Sequence, residues 1–254
     1  MHRVLILALF GCLADVLAGA ETRKHGFVQS AQLAAAEANQ AAAADEKFVY
    51  AIDNAVVAKY DRATGQRLGL SVGTAKHLNS GFIWQGKLYC AHSNYPRKPE
   101  QSEIMVLDPK TMMLTTFKSF GNDRGSLTWA VREGNFWWCN FAHYGDENAK
   151  TVLVKLDTEW REQGAWIYPA EVVKDLGRMS ISGGLWKDGQ LLATGHDHRR
   201  VYRLRLPKQG TVLELVDILA APFPGQGIAV DPKTGGLVGI DRAKRQIVFA
   251  SQKE

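Results

Sequence analysis

Residues 39–54 read NQAAAADEKFVYAIDN and residues 225–242 read GQGIAVDPKTGGLVGIDR. Gln40 matches Gln226, Asp45 matches Asp231 and Asp53 matches Asp241, so one unit recurs near the two ends of the chain. Related segments lie between them, with unit starts near Asn39, Asn79, Gly125, Ile181 and Gly225 and spacings of 40, 46, 56 and 44 residues. Repetition at this period points to a solenoid or to a ring of small sheets.

Each unit runs through a short apolar strand, a turn, a second strand, a loop and a third strand of alternating polarity. The second unit shows it in residues 80–84 (SGFIW), the turn Gln85-Gly86-Lys87, residues 88–92 (LYCAH) and residues 103–108 (EIMVLD). In the fourth, Tyr202, Leu204 and Leu206 alternate with Arg203 and Arg205, which sets apolar side chains on one face of a strand. Short strands with turn residues every eight to twelve positions predict an all-β, five-bladed β-propeller, with six blades as the alternative.

The alanine-rich residues 31–44 favour helix by propensity alone. Their alignment with residues 225–231 instead makes residues 40–44 an innermost strand, where small side chains suit a crowded axis, and leaves 31–37 as helix or connector. The fifth unit supplies three strands, ending at residues 245–251 (RQIVFAS), and lacks a fourth. Residues 25–30 (HGFVQS) can fill that place, so an N-terminal rim strand is expected to pair with the C-terminal blade and close the ring. The expected organisation is a signal peptide over 1–20, a rim strand and connector over 21–38 and the five-unit propeller over 39–254.

The signal peptide is read from His2 and Arg3, the apolar residues 4–13, and Ala18-Gly19-Ala20 as a small-x-small cleavage site. A secreted or periplasmic protein is expected. No other apolar run approaches the roughly 20 residues of a spanning helix, so no membrane span is expected. The formal charge of +5 is mild, and only Arg199, Arg200, Arg203 and Arg205 cluster, which argues against nucleic acid as a partner. Cys90 and Cys139 sit in apolar strand patterns of neighbouring units, either as buried thiols or as a bridge.

Residues 227–249 (GIAVDPKTGGLVGIDRAKRQIVF) resemble an NHL-type repeat. The resemblance implies the broad class of secreted NHL, YncE-like and SMP-30-like propellers, which includes binding scaffolds, lactonases and other enzymes. The metal-binding set of the SMP-30-like lactonases finds no match here, because no glutamate opens the first unit in the place that family uses.

In such a ring, second-strand ends and innermost-strand entries meet around one mouth of the axis. The second-strand ends carry Asp53, His92, Asn140, His143, His196, Asp197, His198 and Asp241; the entries carry Gln40, His77, Asn79, Ser80, Asp123, Arg124, Ser126, Ser180, Ser182 and Gln226. Five of the seven histidines fall in this set. Imidazoles and carboxylates at a pocket mouth suit acid–base chemistry near neutral pH, or a divalent metal held by two histidines and a carboxylate. The expected function is binding of a small-molecule ligand or a protein partner at this face. The alternative is a lactonase, cyclase or hydrolase using the same pocket.

The candidate catalytic residues are His77, His92, His143 and His196. The candidate binding residues are Gln40, Asp53, Asn79, Arg124, Ser182, Gln226 and Asp241. The competing readings are structural: Asp53 and Asp241 as turn caps, and His77 and His92 as satisfied rim residues. His196-Asp197-His198 looks like a metal motif, but its two imidazoles are not expected to face one ion unless the strand bends. Trp84, Trp129 and Trp186 are expected at equal depth in innermost strands, packing between units, and of adjacent Trp137 and Trp138 at least one is core. The longer loops, residues 94–101 and 144–150, are expected to flank the mouth as a partner surface or as lids.

Overall fold

A computed structural model describes residues 26–122 and 124–253; the expected signal peptide, His25 and Asp123 lie outside the described residues. Twenty strands account for most of the described chain. The first, β1 (Gly26–Ala34), stands apart from the unit that follows it. Then β2 (Ala41–Ala44), β3 (Phe48–Ile52), β4 (Val57–Asp61) and β5 (Arg67–Leu70) form one antiparallel meander. A second comprises β6 (His77–Trp84), β7 (Lys87–Ser93), β8 (Ser102–Asp108) and β9 (Met113–Gly121). A third comprises β10 (Ser126–Glu133), β11 (Phe136–Ala142), β12 (Val152–Leu156) and β13 (Glu162–Ile167). The remaining strands, β14 (Gly183–Lys187), β15 (Gln190–Thr194), β16 (Arg200–Arg205), β17 (Glu214–Ala220), β18 (Ala229–Val230), β19 (Leu237–Asp241) and β20 (Gln246–Lys253), join β1 in one eight-stranded sheet, ordered β14-β15-β16-β17-β1-β20-β19-β18.

The first strands touch in succession: β2 against β6, β6 against β10, β10 against β14, β14 against β18, and β18 against β2. The strands next to the axis therefore close on themselves. Small side chains allow this approach. A Cβ on Gly227 would lie 2.5 Å from the Ala41 Cβ and 2.8 Å from the Ser80 Cα, so residues of three units share the space one methyl group would fill.

The N-terminal strand pairs antiparallel with β20, from Gly26 opposite Lys253 to Ala34 opposite Gln246, across one bulge. At its start it runs parallel to β17 through Gly26 and Ala220. The contact needs glycine, because a Cβ there would sit 2.5 Å from the Ala220 carbonyl oxygen. The alanine-rich reading is corrected here: residues 31–34 are strand, neither helix nor connector, because the open edge of β20 supplies backbone partners that outweigh a small helical preference.

The third unit is longest because it carries both short helices: a 3-10 helix (Gly145–Lys150) between its second and third strands, and α1 (Ala170–Asp175) after its fourth. None of the helices in the described residues is long and apolar enough to cross a membrane.

Apolar side chains fill the wedges between neighbouring sheets. Ile52, Leu88, Cys90, Met105, Val238 and Phe249 belong to one cluster, while Trp137, Phe141, Cys139 and Val154 form another between the second and third sheets. Trp137 and Trp138 face opposite wedges and both are buried: Trp137 joins this second cluster and Trp138 packs on Trp166 and Trp186. The expected equal depth of the three inner tryptophans is corrected by the register. Trp84 closes its hairpin opposite Lys87, Trp186 lies one pair deeper opposite Leu191, and Trp129 lies deeper still opposite Asn140, where Gly184 of the next sheet makes room for its ring. Both cysteines are buried free thiols.

The repeated acids of the opening motif have a joint role. Asp45 accepts backbone N–H bonds from Lys47 and Phe48 in its turn, and its equivalent Asp231 accepts from Lys233 N and Thr234 Oγ1. Arg62 joins the two turns. Its Nη1 donates to the Asp45 carbonyl and to Asp231 Oδ1, and its Nη2 donates to Asp231 Oδ2 at 2.7 Å. With Asp231 fully buried, this bidentate pair latches the first unit to the last.

Candidate ligand site

The entries to the innermost strands are tied from unit to unit by polar bonds. Leu78 N donates to the Asn54 carbonyl, Asn79 Nδ2 to the Leu127 carbonyl at 3.1 Å, and Thr128 Oγ1 to the Ile181 carbonyl at 2.7 Å. Gln226 N donates to the Gly195 carbonyl and Gly227 N to the Gln40 carbonyl, which completes the circuit. Buried groups must be satisfied, and here satisfying them also fixes each unit against the next.

Several candidate binding residues are committed to this frame. Gln40 donates to Asn54 Oδ1 at 2.7 Å, Gln226 to the His196 carbonyl at 2.9 Å, and Ser182 N to the Thr194 carbonyl at 2.8 Å. Asp53 accepts from Asn39 Nδ2 and from its neighbour's backbone at Asn54 N, both at 2.7 Å. Asp241 accepts from Arg199 Nη2 at 2.9 Å and from the backbone of Lys244, which holds its carboxyl below the ordinary range against the opposing effect of burial. Arg124 does not turn to the axis; it pairs with Glu162 on the outermost strand of its own unit.

The histidines divide sharply. His92 is locked: the Lys76 backbone N–H donates to Nε2 at 2.9 Å, so the ring proton sits on Nδ1 and donates to Glu103 Oε2 at 3.1 Å. His143 is half-buried, its backbone bonded in both directions to Thr151 Oγ1. His196 donates from Nδ1 to Asp197 Oδ1 at 2.7 Å and faces Arg242 Nη1 through Nε2 at 3.4 Å, while His198 turns towards Asp175. Of the four candidate catalytic histidines, His77 and His143 make no ring hydrogen bond among the described residues. Burial depresses the basicity of His77, and the nearby His92 and Arg242 depress it further, so its imidazole is neutral at pH 7.

Arg242 is the residue sequence reasoning missed. It follows Asp241, which drew attention as the polar end of its strand. Its Nε donates to the Asn39 carbonyl of the first unit at 3.1 Å, its Nη1 meets His196 of the fourth, and its charge is felt by His77 of the second. One guanidinium from the last unit thus joins the first and fourth units. An aromatic line starts from His77: the His77 and Tyr95 ring centroids are 5.3 Å apart, and those of Tyr95 and Tyr144 are 5.0 Å apart. The two longer loops therefore touch each other through Tyr95 and Tyr144.

Among the described residues no three His, Cys, Asp or Glu side chains come together to hold a metal ion. The physical reason lies in His92 and His196, whose nitrogens already serve protein partners. At the opposite end of the axis, where the innermost strands finish, a cavity of about 440 Å³ is lined by residues including Glu46, Phe82, Glu133 and Trp186.

The closed ring of radially arranged meanders, with polar tips gathered at one mouth, defines a β-propeller. No family model matches the chain, and no curated protein matches it. Among solved structures, it is similar to the glutaminyl cyclase of Myxococcus xanthus, with a TM-score of 0.61 and 9% identity over 89% of this chain and 96% of that one. A chain of a mitotic checkpoint complex is similar with a TM-score of 0.51 and 10% identity, over 100% of this chain and 99% of that chain. At these identities the likeness is one of fold.

Proposed function

We propose that this chain is a five-bladed propeller, exported from the cytoplasm, that binds a small molecule at the mouth bearing His77, His196 and Arg242. The blade count rests on the succession of first strands around the axis and on β1 completing the last blade. Export rests on the N-terminal sequence pattern, and kinship with secreted NHL-like propellers on residues 227–249. What supports the binding reading is that Arg242 of the last unit meets Asn39 of the first at 3.1 Å and His196 of the fourth at 3.4 Å, while the His77 ring makes no hydrogen bond to a described protein atom. Thermal-shift screening of the mature chain against a metabolite library tests it. Hits that lose their shift in His77→Ala and Arg242→Ala support the site; hits that shift both variants as they do wild type refute it.

An enzymatic reading has one specific support: a glutaminyl cyclase shares the fold, and His77 has the neutral imidazole a general base needs. Incubation with N-terminal glutaminyl peptides and with lactones, followed by ammonia release and ring opening, tests it. Turnover abolished by His77→Ala supports a cyclase or hydrolase, and no turnover of either class leaves a binding protein.

A further inference from the structure

Arg242 has donors to spare in a place where a cation is costly. It is half-buried, and burial works against its charge. Its neighbours Lys244 and Arg245 lie by Asp241 and Asp53, yet among the described residues Arg242 has no carboxylate oxygen within 4 Å. The Nε bond to Asn39 fixes the guanidinium plane, and Nη2 donates to no described protein atom. The two acids whose charges reach it are engaged elsewhere, Asp197 with His196 and Asp53 with Asn39.

Building on the small-molecule reading above, we infer that the ligand is a small organic monocarboxylate, its carboxylate forked by Arg242 and its body lying against the Tyr95 ring. A planar guanidinium edge matches a planar carboxylate with two parallel N–H···O bonds. A dianion such as a phosphate monoester is the poorer fit, because a single guanidinium fork supplies one positive charge and two parallel donors, the match of one carboxylate. The partly exposed Tyr95, flanked by His77 and Tyr144, supplies an apolar face beside the charged one. The free nitrogens of His77 are left for a polar substituent on the ligand's body.

Isothermal titration of the mature chain with benzoate, cyclohexanecarboxylate and indole-3-acetate tests this, with benzamide and phenyl phosphate as the neutral and dianionic counterparts. The expected result is binding of at least one monocarboxylate, with benzamide and phenyl phosphate weaker by about tenfold or more. Arg242→Ala is expected to weaken that binding by about ten- to hundredfold, Arg242→Lys by less, and Tyr95→Ala to weaken it at an unchanged melting temperature. No binding by any of the three acids, or equal binding of benzoate and benzamide, overturns the inference. Library hits that depend on His77 but show no preference for carboxylates overturn it while leaving the binding site standing; the absence of any hit overturns both.

Discussion

His92 shows how a residue type suited to chemistry can be given over to structure. With Nε2 accepting from Lys76 and Nδ1 donating to Glu103, protonating the ring would break the first bond while strengthening the second. Burial, the larger effect, keeps its basicity below the ordinary value despite Glu103, and the same holds for His77 without any such partner. A histidine whose folded pKa is depressed adds stability that is present above the unfolded value of about 6.5 and is lost as pH falls through the folded one. The melting temperature of the mature chain is therefore expected to fall between pH 7.5 and pH 5, and His77→Gln to flatten that fall. A variant with the same slope as wild type would contradict the assignment. The two thiols behave as core: burial pushes both far up the pH scale, so Cys90 and Cys139 should resist thiol reagents at pH 8 until the chain is unfolded.

At the scale of elements, β1 and the Arg62–Asp231 pair do the same work by different means. β1 gives β20 a partner along its whole length, which leaves no exposed edge between the last sheet and its neighbour. A chain beginning at residue 36 should lose cooperative unfolding and aggregate at concentrations where the longer chain stays monomeric, as scattering during refolding would show. Arg62→Ala strands a fully buried carboxylate, and the loss expected from chemical denaturation is about 3–5 kcal/mol. Arg62, Thr234 and the Lys233 backbone hold the Asp231 carboxyl below its ordinary range against the opposing effect of burial. Its contribution is therefore present above about pH 4 and disappears as pH falls through the depressed value. Acid unfolding of the Arg62→Ala variant should begin at higher pH than that of wild type.

For the molecule as a whole, much was legible in the order of residues. Alternation in residues 201–206, the turn Gln85-Gly86-Lys87, and the recurrence of Gln40 and Asp45 as Gln226 and Asp231 are all readable from the sequence, and a strand's faces follow from a period of two. The missing fourth strand of the last unit could be inferred because an unpaired edge is physically costly. The helical insertions of the third unit were not legible, since Ala170–Asp175 is too short for a periodic signal and is held by tertiary contacts. The depth of Trp129 was misjudged for a related reason. Register depends on which backbone pairs across the hairpin, and Gly184, which makes room for the indole, belongs to another sheet.

The amino-acid order alone determined the class of the fold, because that follows from local periodicity and from the need to satisfy strand edges. Only the tertiary structure decided which polar tips are spent on the frame and which keep unused hydrogen-bonding groups. Asn79 and Gln226 bind neighbouring units, Gln40 binds Asn54 within its own, His92 is locked, and Arg242 is left with unused donors. Allocation of hydrogen bonds is settled by distances between units far apart in the chain, where Arg242 and Asn39 are brought to 3.1 Å, and no pattern within a single unit carries that information.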